Sequence, residues 1–178
     1  MQHQGIIMEA NGKTNGQSQS PKKIRRQPAP LIEVRDSAVH GKGAYATRPI
    51  RKGRRIIEYM GKVMPWGDAS EDPDDPHTFL FGLSDGVNVI NAAIDGNDAR
   101  WINHSCDPNC EAVEEDDNRV FIYALRDLSP GEELFYDYAL QIDEPHSEEM
   151  RKQFACFCGS PKCRGTLLEP QEKEAVAT

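Results

Sequence analysis

Between Leu31 and Leu140 the apolar residues come in short β-type runs separated by turn residues, not at the three-and-four spacing of a helix face. Seven runs predict strands: Leu31 to Arg35, Ala44 to Ala46, Arg54 to Tyr59, Phe79 to Leu83, Val87 to Ile90, Val120 to Leu125 and Glu133 to Tyr138. Pro49, Gly53, Gly61, Pro65, Gly67, Pro73, Pro76, Gly82, Gly86, Pro108, Pro130 and Gly131 punctuate them. Residues that break regular structure this often predict a mainly β fold of several small sheets. One short helix is expected over Ser147 to Phe154, where a capping Ser precedes Glu148 and Glu149 in the first turn. No segment repeats.

The ends lack this pattern. Residues 1 to 30 are rich in Gln, Asn, Gly, Ser and Lys with no apolar period, which predicts a disordered tail. Residues 31 to 141 then form the main unit, 142 to 168 a short helix and a cysteine motif, and 169 to 178 a frayed end. Gly67 to Pro76, with Glu71, Asp72, Asp74 and Asp75, reads as an acidic loop.

Charge divides along the same line. The first 30 residues hold five basic residues against Glu9, a net of +4, so residues 31 to 178 carry −12 of the overall −8. An acidic domain disfavours direct binding of nucleic acid and favours a cationic partner such as a lysine-rich peptide, although acidity also serves solubility alone. No apolar run is long enough to span a membrane, and the first ten residues lack the basic start and apolar stretch of a signal peptide. The expectation is an intracellular protein. The basic run Pro21-Lys22-Lys23-Ile24-Arg25-Arg26 fits nuclear import or a polyanion, but also plain solubilising sequence.

The five cysteines are odd in number and fall late in the chain, which argues for reduced thiols rather than disulfides. Cys156, Cys158 and Cys163 lie close together, and Cys106 about 50 residues upstream completes a tetrahedral thiolate set for one structural zinc ion. Such a metal ties the C-terminal segment to the middle of the domain. Cys110 is left as a core residue.

Three further segments carry candidate chemistry. Gly41-Lys42-Gly43-Ala44-Tyr45-Ala46 has the spacing of a dinucleotide-binding loop, but Pro49 and Gly53 stop the helix that such a loop must open, so the glycines mark a tight turn or a close backbone approach. Arg100 to Cys110 packs Asn103, His104, Cys106, Asp107, Asn109 and Cys110 together with no amphipathic period, the density of a site. Gly131 to Tyr138 carries Tyr136 and Tyr138 two apart, so on a strand both phenols face one side.

Read in order, His40 to Gly43, Glu58-Tyr59-Met60-Gly61, Asn103 to Cys110, Gly131 to Tyr138 and the final cysteines resemble the SET-domain lysine methyltransferases with a post-SET zinc motif. The resemblance covers roughly residues 32 to 168, and Gly96 to Trp101 is most similar to the trithorax-type branch, with Trp101 where Phe is commoner. It implies small sheets around a C-terminal segment threaded as a pseudoknot. It also implies S-adenosylmethionine as cosubstrate, with Gly41, Lys42, Gly43, Asn103, His104 and Tyr138 lining the cofactor pocket, and Tyr138, Tyr136 and Tyr59 forming the lysine channel. Tyr138 takes the position of the catalytic tyrosine. Tyr136, where the family has Phe or Tyr, is expected to limit the product to mono- or dimethyl-lysine.

The implied activity is methylation of a lysine in a basic peptide of a histone or another protein. The alternative from a different class is a catalytically silent SET-like module that holds such a peptide without turnover. A zinc-ribbon nucleic-acid binder would need a basic face, which the acidic domain lacks. The short architecture, with no pre-SET cysteine cluster, suits a bacterial protein in the cytoplasm as well as a nuclear one at chromatin.

Overall fold

The computed structural model describes residues 29–69, 79–142 and 144–171. The expected tail over 1–30, save Ala29 and Pro30, lies outside these residues, as do 70–76 of the acidic loop and 172–178 of the expected frayed end.

The described residues form four small sheets. β1 (Ile32–Asp36) and β2 (Lys42–Ala46) make an antiparallel hairpin in which Ile32 faces Ala46 and Asp36 faces Lys42. β3 (Arg55–Tyr59) pairs with β9 (Arg119–Ala124), which pairs in turn with β8 (Cys110–Glu115), all antiparallel. β6 (Asn88–Asn91) lies between β4 (Lys62–Pro65) and β5 (Leu80–Gly82). β7 (Asn103–His104) and β10 (Phe135–Tyr136) are a two-residue parallel pair.

Local sequence accounts for most of this. β9 is central and covered on both faces, so Val120, Phe121, Ile122 and Ala124 are all buried, the continuous apolar run expected of such a strand. β8 is an edge strand, and Glu111, Glu114 and Glu115 disguise its alternation, which is why it was not expected as a strand. The strand expected over Glu133 to Tyr138 is a correction: only Phe135 and Tyr136 pair as a strand, because the segment changes partner every residue or two. Glu133 bridges Tyr45, and Leu134 N–H donates to Ala44 C=O. Phe135 and Tyr136 pair with Asn103 and His104, and Tyr138 N–H donates to His104 Nδ1. The segment thus lies between β2 and the 103–109 loop, the arrangement expected of a threaded C-terminal segment.

Ile50, Ile102, Ile122, Leu134 and Val120 fill the core that the sheets enclose. Each such side chain contributes roughly 1.5–3 kcal/mol by leaving water. The expected helix is α1 (Glu148–Gln153), capped by Ser147 Oγ, which accepts from Met150 N–H. Beyond it the chain folds back: Ala155 bridges Thr166, and Leu168, 1% exposed, bridges Leu140. That return brings the late cysteines beside the 103–109 loop.

Candidate active site and thiolate cluster

The site starts from Asn103, buried on β7. Its Nδ2 donates to Lys42 C=O at 2.9 Å, to Glu133 Oε1 at 3.0 Å and to His40 C=O at 3.3 Å. The loop of Gly41, Lys42 and Gly43 is thereby fastened to β7. Gly41 sits at φ +46°, a conformation that glycine adopts without strain. Lys42 contributes through its backbone, since its ammonium lies 3.6 Å from Asp36 on the exposed side. Gly43 lies against Glu133, whose carboxylate also accepts from Ser37 Oγ at 2.7 Å and Tyr45 OH at 2.9 Å.

His104 is committed on both nitrogens. Nδ1 accepts from Tyr138 N–H at 3.1 Å, and so carries no proton. The hydrogen of the neutral ring is then on Nε2, which faces Cys106 Sγ at 3.3 Å. Burial lowers the pKa of this ring against the opposing pull of Asp137, which favours that neutral form. His104 therefore links the segment bearing Tyr138 to the cysteine cluster, and its ring has no nitrogen left for a ligand.

The three expected tyrosines come together. The Tyr136 and Tyr138 rings are 4.8 Å apart, Tyr138 stacks edge-on to His104 at 5.3 Å, and Phe81 joins Tyr59, at 5.4 Å, to Tyr136, at 6.4 Å. Tyr138 OH donates to Ile102 C=O at 3.0 Å and Tyr59 OH to Phe79 C=O at 3.3 Å. Among the described residues the Tyr136 hydroxyl has no such partner. Burial pushes all three phenols above their ordinary pKa, so each stays protonated and neutral.

Cys106, Cys156, Cys158 and Cys163 also converge, with all four Sγ atoms within 4.8 Å of one another and Cys106 3.7 Å from Cys156. A tetrahedral thiolate site with metal–sulfur bonds of ~2.3 Å has edges of about 3.8 Å, so the set fits such an ion. The backbone supports the charge: Arg164 N–H donates to Cys106 Sγ at 3.3 Å and Gly165 N–H to Cys163 Sγ at 3.4 Å. Burial opposes ionisation of Cys158, but hydrogen bonds led by the Cys106 and Ser160 backbone overcome it and draw this thiol down to about 6. Cys110 stands apart in the core, fully buried, its thiol pushed up to about 12 by burial.

Sequence reasoning missed three participants. Glu133 holds the glycine loop and Asn103 together. Asp137 and Arg164 form a two-bonded pair, at 2.6 and 2.8 Å, between the tyrosine segment and the cysteine cluster. The available signals were weak: an acid inside an apolar run, and a base directly after the last cysteine. The acidity that favours a basic peptide includes Glu114 to Asp117, of which Glu114 accepts from Ser84 N–H and Oγ, while Glu115 accepts from Tyr123 OH and lies 3.5 Å from Arg55. Asp116 and Asp117 remain exposed, and Glu71, Asp72, Asp74 and Asp75 lie outside the described residues.

Comparison with known proteins agrees with this geometry. A family model described as SET domain matches residues 41–139. The chain is 38% identical over 160 residues to histone-lysine N-methyltransferase trr of Drosophila melanogaster, covering 84% of this chain and 6% of that protein. It is 38% identical over 154 residues to an H3 lysine-4 specific histone-lysine N-methyltransferase of Candida albicans, covering 81% and 14%. To human histone-lysine N-methyltransferase 2B it is 35% identical over 152 residues, covering 81% and 5%. The chain thus spans only 5% to 14% of the length of these relatives. With the family model matching more than half of its residues, and the small sheets, threaded segment and tyrosine cluster built on that stretch, the chain belongs to the SET-domain family.

Proposed function

We propose that the protein is an S-adenosylmethionine-dependent protein-lysine N-methyltransferase acting on a basic segment of a histone. The observation that carries this reading is the single segment 133–138, which fastens the Gly41–Gly43 loop and Asn103 through Glu133 and supplies two rings of the aromatic cluster through Tyr136 and Tyr138. A cofactor pocket and a lysine channel on one segment are held in register, as a transfer in line between two substrates requires.

When bound, S-adenosylmethionine supplies the methyl group on an electrophilic sulfonium. The fit rests on Asn103, whose Nδ2 is surrounded by acceptors and whose Oδ1 is left for a donor such as the ammonium of the cofactor's amino-acid end. Tyr59, Phe81, Tyr136 and Tyr138 exclude water, which favours the neutral form of an entering lysine whose unperturbed pKa is ~10.4. No tyrosine serves as the base, because all three phenols are held neutral. Tyr138 OH is spent as a donor on Ile102 C=O, so its oxygen accepts from the amine and orients it. The uncommitted Tyr136 hydroxyl hydrogen-bonds the amine or a water and fills the space that further methyl groups need.

Zinc is the metal we assign to the four thiols, on their number, convergence and backbone N–H···S bonds. Residues 31–141 are then the catalytic domain and 142–168 the metal-bearing segment that closes the channel. A histone is favoured as substrate because the relatives are named histone-lysine N-methyltransferases, one of them H3 lysine-4 specific, and because residues 31–178 carry −12. Action on a histone places the protein at chromatin. No helix among the described residues is long and apolar enough to cross a membrane.

The test is transfer of labelled methyl from S-adenosylmethionine to core histones, comparing wild type with Tyr138→Phe and locating the label by mass spectrometry. Label on a lysine that falls by ~10²-fold in the variant, the scale set by a misplaced reacting group, supports the reading. Measurable cofactor and zinc binding with no labelled lysine would favour a silent binding module. Tyr136→Phe should raise the methylation state, and trimethyl-lysine as the main wild-type product would sink the product limit.

A further inference from the structure

Glu133 accepts at both carboxylate oxygens from distant parts of the chain. Its Oε1 accepts from Ser37 Oγ and Asn103 Nδ2 and its Oε2 from Tyr45 OH, so it joins the β1–β2 hairpin to β7. Position 43 is shaped to the same carboxylate: a Cβ added to Gly43 would lie 2.1 Å from Glu133 Oε1 and 2.8 Å from its carboxyl carbon. The next nearest atom, Ser37 Cβ, is at 3.1 Å. Glycine at 43 is therefore demanded chiefly by Glu133.

The consequence falls on Asn103. An amide has a donor end and an acceptor end of nearly equal shape, and its hydrogen-bonding partners decide which way it is turned. The nitrogen faces three oxygens, of Lys42, His40 and Glu133. Reversing the amide would set its oxygen against all three, and the carboxylate opposes this most. The Asn103 oxygen is consequently presented on the other side, and among the described residues no donor reaches it.

We propose that Glu133 is a positioning residue of the cofactor pocket: it locks the Asn103 amide with Oδ1 outward to accept from an ammonium group, and it fixes the Gly41–Gly43 loop at the approach that only glycine at 43 allows. This rests on the reading of that pocket as the S-adenosylmethionine site. Glu133 does not touch the reacting atoms. It sets affinity for the cofactor rather than the rate of transfer once the cofactor is bound.

The experiment is calorimetric titration of S-adenosylmethionine into wild type, Glu133→Gln, Glu133→Asp and Glu133→Ala, with steady-state kinetics on the same proteins. Loss of the clamp should weaken cofactor binding about tenfold in Glu133→Ala, the scale of one buried hydrogen bond, while kcat at saturating cofactor stays within about twofold. Glu133→Asp, whose carboxylate is one methylene too short for Asn103, should weaken it in the same sense and serves if the Ala variant does not fold. Glu133→Gln keeps an oxygen for Ser37 and Asn103 and should bind nearly as wild type does. Gly43→Ala should weaken binding in the wild type by much more than in a Glu133→Ala background, where the space is vacated. Unchanged affinity in Glu133→Ala or Glu133→Asp, a fall in kcat at constant KM, or equal damage from Gly43→Ala in both backgrounds would overturn the proposal. Wild type that binds no S-adenosylmethionine would instead remove the reading of the pocket itself, so the two failures are distinct.

Discussion

Replacing Arg164 by Met tests whether the cysteine cluster and the tyrosine segment form one mechanical unit. The Arg164 guanidinium makes two bonds to Asp137, at 2.6 and 2.8 Å, and Asp137 lies between Tyr136 and Tyr138 in the chain. The Arg164 backbone N–H is bonded to Cys106 Sγ, so this one residue touches both sites. The side chains are 23% and 32% exposed, between the surface and buried regimes. Exposed pairs contribute ~0.2–1 kcal/mol and removal of one partner from a buried pair costs ~3–5 kcal/mol, so Arg164→Met should cost about 2 kcal/mol. For a chain of this size that is roughly a 4–8 °C fall in Tm. Burial alone would raise the pKa of Asp137, but hydrogen bonds from Arg164 and Ala139 N–H outweigh it and hold the carboxyl below its ordinary value. A depressed folded pKa gives stability that is complete above the unfolded value of ~3.9 and is lost as pH falls through the folded one. The gap between wild type and variant should therefore be full at pH 7 and close in acid below about pH 4. The assay is thermal unfolding by circular dichroism in reducing, zinc-replete buffer, completed as a double-mutant cycle with Asp137→Asn. A Tm loss under about 1 °C, or strictly additive single losses, would refute the coupling.

Two further outcomes follow from the same structure. Cys158→Ser should lose the bound zinc, measured by a chromogenic chelator, and open residues 142–168 to protease while the β3–β9–β8 sheet stays protected; full zinc content with full activity would remove the four-thiolate assignment. Glu58 makes two bonds to Arg119, at 2.8 and 2.7 Å, and these hold its carboxyl below the usual range despite partial desolvation. Its stabilising effect is thus present above pH ~4.5 and lost in acid, so the Tm advantage of wild type over Glu58→Gln should shrink as pH falls below that value, and an advantage that grows in acid would show the sign to be wrong.

What the sequence made legible was whatever depends on near neighbours. β9 announced itself because a central strand needs apolar residues on both faces, and the thiolate set because a tetrahedral ion needs four soft ligands, three of them close in sequence. β8 was hidden because an edge strand with one solvated face tolerates Glu111, Glu114 and Glu115. β7 and β10 are two residues each, too short for any periodicity, and exist only because the threaded segment brings 135–136 against 103–104. Glu133 was opaque for a stronger reason: its partners Asn103, Tyr45 and Ser37 lie 30, 88 and 96 residues away, and no local pattern distinguishes it from the adjacent Glu132. Asp137 and Arg164, 27 residues apart, were opaque in the same way. The groups proposed to meet substrate, Asn103, Tyr59, Tyr136 and Tyr138, are thus named by short motifs, while the carboxylates beside them, Glu133 on Asn103 and Asp137 between Tyr136 and Tyr138, make hydrogen bonds that close long loops. Such bonds form only once the fold is nearly complete, since the loop entropy must be offset before they contribute. Loss of Glu133 or Asp137 should accordingly leave the sheets standing and loosen one half-site each, the cofactor side in the first case and the tyrosine side in the second.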